Sequence, residues 1–229
     1  MKSAPRAYFS FRSPYSWLAF HDLRLHSPRL LREIEWRPFW EPDAEFDALL
    51  TRAGGEFPYT PMSRAKHFYL LRDVRRLARR RGLTNCWPAD VEPRWEPAHL
   101  TWFVAEDAGL ALEYMDRVYA ARWLEDADIC DPRVVGAVAR AVGVDVDMDA
   151  VLASPALRAR ALDALLAVCA DDVFGVPMFL RGRDKYWGLD RLADFVAAVA
   201  PEPIPDLPDT VAAGLLRRTA DVGHAGGCG

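Results

Sequence analysis

Apolar and polar positions alternate with a strand's period over residues 6–11 and with a helix's period directly afterwards. The first stretch alternates around aromatics and predicts a short strand; residues 13–26 then place Trp17, Leu18, Phe20, Leu23 and Leu25 at mostly helical spacing. Residues 34–40 read as a second strand. Strand, helix and strand in this order form a βαβ unit, which implies a parallel pair joined by a helical crossover.

From about residue 43 the strand-like runs vanish. Helical periodicity predicts helices over 63–81, 97–107, 110–123, 132–142 and 155–170. Residues 171–177 then break the helix. Runs at 178–181 and 185–187 flank Gly182-Arg183 and predict a hairpin, and 189–200 reads as a closing helix. Residues 201–208 hold too many prolines for a helix or a central strand; 210–218 reads as a short helix, and 223–229 as a disordered end. The expected class is α/β, a thioredoxin-like fold interrupted by a large all-helical insertion. Its discontinuous thioredoxin-like domain comprises 1–42 and 171–200, its insertion domain 43–170, and its proline-rich extension 201–229.

Composition narrows the partners. A chain of 229 residues that is 51% hydrophobic has the material for one large core. Its formal net charge of -4 argues against nucleic acid as the main partner. No apolar run reaches membrane-spanning length, and the N-terminal segment is too short for a signal peptide, so a soluble, cytoplasmic protein is expected. The four cysteines, Cys86, Cys130, Cys169 and Cys228, form no C-x-x-C, which predicts reduced thiols and neither a zinc site nor a redox pair. The five histidines show no ligand spacing, so no metal is expected.

The chemistry concentrates where the first strand meets the first helix, in Phe9-Ser10-Phe11-Arg12-Ser13-Pro14-Tyr15-Ser16-Trp17. Ser13 stands at an N-cap position, and Pro14 fills the first helical position, where its missing N–H costs nothing. Such a start directs free N–H groups and a partial positive charge at whatever approaches Ser13. An ordinary N-cap would look the same, so this segment alone does not decide between the two readings.

Two further segments accompany it. One is Lys66-His67-Phe68-Tyr69-Leu70-Leu71-Arg72-Asp73-Val74-Arg75-Arg76-Leu77-Ala78; the other is Val173-Phe174-Gly175-Val176-Pro177 followed by Tyr186-Trp187-Gly188-Leu189-Asp190-Arg191-Leu192. In order and separation the three resemble the 2-hydroxychromene-2-carboxylate isomerase and kappa-class glutathione transferase branch of the DsbA-like thioredoxin superfamily. The oxidoreductase relatives carry Cys-x-x-Cys at the helix start; here Ser13 and Ser16 stand in those positions, so the resemblance implies a site that holds a thiolate supplied from outside. It implies Ser13 as the group stabilising that sulfur. A cis peptide before Pro177 would leave the Val176 backbone to pair with the thiol. Trp187, Gly188, Leu189 and Asp190 would hold its γ-glutamyl end, Leu189 through its N–H and Asp190 by accepting from the ammonium.

The implied cofactor is glutathione or another low-molecular-weight thiol, without metal. The resemblance and the neighbouring loops place Tyr15, Trp40, Lys66, Tyr69 and Arg81 in the substrate pocket, with Trp87 and Trp95 near its mouth. The chain departs from the family where 52–58 offers no asparagine and where Trp40-Glu41-Pro42-Asp43 follows the second strand. The expected activity is cis-trans isomerisation of an activated, conjugated double bond, in a ring-opened aromatic catabolite or a polyene intermediate. The alternatives are a kappa-like transferase that conjugates electrophiles and a non-catalytic thioredoxin-like binding protein. The expected partners are a small-molecule substrate, delivered free or on an acyl carrier protein that meets the arginine-rich helix, and a second copy in a homodimer; no nucleic acid and no membrane are expected.

Overall fold

Four strands form one mixed sheet in the order β2-β1-β3-β4. The computed structural model describes residues 4–58, 62–90 and 93–199. The expectations for 200–229 lie outside the described residues. Central β1 (Arg6–Phe9) runs parallel to β2 (Glu35–Pro38) and antiparallel to β3 (Met178–Arg181), and β3 pairs with β4 (Asp184–Trp187). Between β1 and β2 lie α1 (Pro14–His26) and α2 (Pro28–Glu33). Among the described residues, every element between β2 and β3 is helical: α3 (Ala44–Arg52), α4 (Arg64–Arg80), α5 (Glu96–Asp107), α6 (Ala111–Trp123), α7 (Pro132–Ala141), α8 (Met148–Ala153) and α9 (Pro155–Ala170). A 3-10 turn, Leu189–Arg191, leads from β4 into α10 (Leu192–Val199). This is the interrupted thioredoxin-like arrangement that the sequence pattern predicts.

The differences from the expected elements have local causes. β1 stops at Phe9 because the next two residues spend their backbone groups elsewhere. The Ser10 carbonyl accepts from the Ser13 N–H at 3.1 Å, and the Phe11 N–H donates to His99 Nε2 at 3.3 Å. The short helices α2, α3 and α8 escape a periodicity search because each carries only one or two buried positions. Two of them are still marked by caps, Asp43 accepting from the Phe46 N–H at 2.9 Å and Asp147 from the Asp149 N–H at 3.1 Å. In the hairpin, Gly182 has φ 62 at the first of two turn positions, as a type II′ turn requires.

Alternation along β1 feeds two hydrophobic clusters. Ala7 and Phe9 face the main core, where the Phe9 ring meets Phe11, Trp36 and Trp102 at 5.2, 5.9 and 5.4 Å. Tyr8 faces a smaller cluster with Phe39, Val168, Val173, Val176 and Met178. Its hydroxyl donates to Asp171 at 2.7 Å and accepts from Arg37 at 3.1 Å, and Asp171 also pairs with Arg6. Burial and then the Asp171 carboxylate push the Tyr8 phenol up to about 12. This network ties the end of α9, and hence the loop that reaches Val176, to the central strand.

Candidate active site

The β1–α1 turn is held from three directions. Ser13 caps α1, its Oγ accepting from the Ser16 N–H at 3.2 Å, while Ser16 Oγ accepts from the Ser10 N–H at 3.4 Å. The Tyr119 hydroxyl donates to the Ser10 carbonyl at 3.3 Å. Beneath the turn His99 is fully buried. Its Nδ1 lies 2.7 Å from the Trp95 carbonyl and must carry the proton, which leaves Nε2 to accept from Phe11. Burial lowers the His99 pKa to about 3, against a smaller opposing effect of the Trp95 carbonyl, so the ring is neutral. His99 escapes a search for ligands or triads because its role is to satisfy one backbone N–H beside the functional turn.

Ser13 is 5% exposed, and its hydroxyl donates to the Val176 carbonyl at 3.4 Å. At that length the bond is weak, so the hydroxyl can turn toward another acceptor at small cost. The Val176–Pro177 peptide is cis, as the resemblance implies. The Pro177 carbonyl accepts from the Gly188 N–H at 2.9 Å, which brings the Trp187–Asp190 corner beside the cis-proline loop. The expected thiol-side residues Ser13, Val176, Pro177, Trp187, Gly188, Leu189 and Asp190 thus sit on connected segments.

At that corner Gly188 adopts φ 91, and a Cβ there would stand 2.7 Å from Asp190 Oδ1. Only glycine permits both the turn and the closeness of the carboxylate. Leu189 opens the 3-10 turn, so its N–H belongs to the donors that a helix start leaves over. The Asp190 side chain is 63% exposed, and among the described residues its one ion pair is a 3.6 Å contact to Arg191. An exposed carboxylate beside the N–H of a 3-10 start and a glycine floor suits an α-amino acid end of a ligand. Phe174, which sequence reasoning did not single out, is 48% exposed and meets the Trp187 ring edge-on at 5.0 Å.

The family description "DSBA-like thioredoxin domain" matches residues 6–200, nearly the whole described chain. The chain belongs to the DsbA-like thioredoxin family. A curated relative in Sphingobium xenophagum, named 2-hydroxychromene-2-carboxylate isomerase, is 29% identical over 191 residues, covering 82% of this chain and 93% of that protein. Among solved structures, a 2-hydroxychromene-2-carboxylate isomerase superimposes with a TM-score of 0.64 at 24% identity, covering 85% of this chain and 93% of the other. A probable DsbA oxidoreductase from Streptomyces coelicolor reaches 0.61 at 18% identity, covering 98% and 95%. At these identities both structures speak for the fold alone. Cys86, Cys130 and Cys169 are free.

On the other side of the α1 start the expected pocket residues divide. Tyr15 and Tyr69 converge on Asp73, the Tyr15 hydroxyl donating to Oδ2 at 2.9 Å and the Tyr69 hydroxyl to Oδ1 at 3.4 Å; Arg76 donates to the same Oδ1 at 2.8 Å. Asp73, absent from the expected set, is the carboxylate that joins the two tyrosines. Its signal was present, since it is the sole acidic residue on the arginine-rich helix α4. Lys66 lies half-buried in the first turn of α4, its N–H capped by Ser63 at 3.2 Å.

Two expected pocket residues are elsewhere. Trp40 is 1% exposed; it stacks on His99 at 5.2 Å and its Nε1–H donates to Glu96 at 3.3 Å, so it belongs to the core. Arg81 makes a two-point ion pair with Asp22, at 2.7 and 2.6 Å, and donates to the Leu77 carbonyl, which clamps the end of α4 to α1. Trp95 is likewise a core ring, at 2% exposure, and Trp87 packs on Trp123 at 5.5 Å. Among the described residues no group of His, Cys, Asp and Glu is arranged to hold a metal ion, and no helix is long and apolar enough to cross a membrane.

Proposed function

We propose that this protein is an isomerase that holds a low-molecular-weight thiol, glutathione in the first instance, and uses it to change the geometry of an activated, conjugated double bond. The observation that carries the reading is the Ser13 hydroxyl. It caps the start of α1, 3.4 Å from the Val176 carbonyl on the cis-proline loop. The isomerase name of the relative in Sphingobium xenophagum supports the reaction class. The Gly188–Asp190 corner fits the amino acid end of the thiol, and the φ of 91 that shapes it is one that favours glycine.

When bound, the thiolate supplies reversible addition to the conjugated bond, which allows rotation about it. The chain's own residues do the rest. The Ser13 hydroxyl turns from the Val176 carbonyl and donates to the sulfur, and the positive end of α1 favours the ionised form and lowers the thiol's pKa. The Val176 backbone aligns the cysteinyl part, while Leu189 N–H and the Asp190 carboxylate fix the γ-glutamyl end. Tyr15 and Tyr69, oriented by Asp73, offer hydroxyl groups on the substrate side. A serine cannot cycle through a disulfide, so redox exchange is not its task. The free cysteines suit a reducing cytoplasmic setting.

The test is an isomerisation assay on a conjugated cis-enoyl substrate, with and without glutathione, followed by mass spectrometry. The expected result is turnover only with thiol present, thiol recovered unchanged, and product mass equal to substrate mass. A product that keeps the mass of the thiol would make the protein a transferase; absence of thiol binding by calorimetry would make it a non-catalytic member of the fold.

A further inference from the structure

The outer face of α4 carries more charge than its own packing uses. Seven cations and one carboxylate lie on this helix, in a chain whose formal net charge is -4. The buried side is Leu70, Val74 and Ala78, and α1 is its chief packing partner. Arg72, Arg75, Arg76, Arg79 and Arg80 follow one another on the exposed side at steps that place like charges together. Asp73 answers only Arg76; among the described residues, Arg72, Arg75, Arg79 and Arg80 form no ion pair.

Two large aromatics share this face. Phe68 is 49% exposed and Tyr69 50%, with the Arg64 guanidinium over the first at 5.4 Å and that of Arg76 over the second at 5.8 Å. An open groove of about 470 Å³ runs among Ala65, Phe68, Tyr69, Arg72 and Arg76. A solvated helix face needs neither an exposed phenylalanine nor a run of mutually repelling arginines. From Phe68 to Arg79 the stripe is about 16 Å long, the length of a few turns of a partner helix. An acidic helix with an apolar residue or two complements it in both charge and shape. Nucleic acid suits it less well, because the rest of the chain carries a net negative charge that a long polyanion would meet next.

The position of the face narrows the partner further. Tyr15 at the start of α1 is bonded to Asp73 of α4, so a protein docked on α4 stands beside the turn that carries Ser13. We infer that α4 docks an acidic carrier protein that presents the conjugated substrate as a tethered thioester. This rests on the isomerase reading above and names how its substrate arrives. A phosphodiester in the tether brings further negative charge to the groove between Arg72 and Arg76.

The full chain is titrated calorimetrically with an acidic acyl carrier protein bearing a cis-polyenoyl phosphopantetheine thioester, and compared with the variant R72E/R75E/R79E. These three side chains are exposed and form no ion pair among the described residues, so the fold is kept, which an unchanged melting temperature checks. The expected result is binding that weakens at least about tenfold in the variant and falls with added salt. The KM for carrier-borne substrate rises by a similar factor, while turnover of the same acyl group on free pantetheine is unchanged. Equal affinity in wild type and variant overturns the inference, as does tighter binding to duplex DNA or to anionic vesicles at the same salt. If neither thioester is isomerised but the carrier still binds in an arginine-dependent way, the isomerase reading fails and the docking surface stands. If free pantetheine thioester is isomerised and no carrier binding is seen, the docking surface fails alone.

Discussion

The two flanks of the α1 start are made of different material. On the Val176 side the contacts are mostly main chain: the Val176 carbonyl, the Pro177 carbonyl paired with the Gly188 N–H, and the donors left over at Leu189. On the α4 side they are ends of long side chains, Tyr15, Tyr69 and Arg76, gathered on one carboxylate, Asp73. A main-chain surface keeps its shape as long as the fold does, whereas a surface of side-chain tips is redrawn by one substitution. Under the proposed reading the first flank holds the thiol common to this chemistry, and the second discriminates among substrates.

The β1–α1 turn between the two flanks rests on a neutral histidine, and acid is the strongest way to break it. His99 has a folded pKa of about 3, lowered by burial, against an ordinary value of 6.5. Between these values the unfolded chain binds a proton that the folded chain refuses. Stability therefore holds above pH 6.5 and falls progressively as pH drops toward 3. At about 1.4 kcal/mol per unit the loss approaches several kcal/mol. Glu96, whose carboxyl burial raises, acts in the opposite sense and is common to both proteins compared. Urea midpoints measured across this range are expected to fall steeply in wild type and more gently in His99→Gln; equal slopes would remove His99 from this account.

Ser13→Ala strikes the same turn at its centre. The hydroxyl caps the helix and, under the proposed reading, faces the thiol sulfur, and the two roles separate experimentally. Loss of the cap costs about 1 kcal/mol of stability, read from denaturant unfolding. Loss of a donor to the bound thiolate raises the pKa of the bound thiol, so at neutral pH the ionised fraction, and kcat with it, falls about tenfold per unit, and thiol affinity weakens in step. A variant that is destabilised yet fully active would leave Ser13 as a cap alone.

This division also explains how much of the molecule was legible in the sequence. The strand–helix–strand start, the hairpin at Gly182 and the long helices announce themselves through periodicity and turn chemistry, because each is decided locally. The main-chain flank was legible for a related reason: Ser13-Pro14, Val176-Pro177 and Gly188 are residues whose backbone behaviour is fixed by their type. The α4 flank was only half legible. Tyr15 and Tyr69 were within reach, but Asp73 earns its place by joining two elements far apart in sequence. Trp40 and Arg81 were not legible in their orientation, because a tryptophan after a strand, or an arginine ending a helix, says nothing about which way it faces. One turns inward onto His99 and the other onto Asp22.

Asp190→Asn sharpens the contrast within the thiol flank, since it alters the one side chain assigned there besides Ser13. It removes a charge without changing shape, at a position that is 63% exposed. Charge-assisted hydrogen bonds contribute about 1.5–3 kcal/mol, and exposure takes the lower end, so the KM for glutathione is expected to rise about tenfold with kcat unchanged. A thiol lacking the γ-glutamyl group should be indifferent to the substitution. If both thiols lose affinity equally, the corner does not read that group.

The smallest effect is the most pointed. Tyr15→Phe removes one hydroxyl, which donates to Asp73 at 2.9 Å, and leaves that carboxylate still bonded to Arg76 at 2.8 Å and Tyr69 at 3.4 Å. No buried charge is orphaned, so the fold should be indifferent, and the loss of one hydrogen bond contributes about 1 kcal/mol or less. The side-chain flank then predicts a rise of about two- to fivefold in the KM for substrate, with the affinity for glutathione unmoved. Tyr15 sits two residues from Ser13, so proximity alone predicts that thiol and substrate suffer together. Parallel titrations of the two ligands decide the matter: a shift confined to substrate assigns the flanks to separate tasks, and a shared shift makes the α1 start one undivided site.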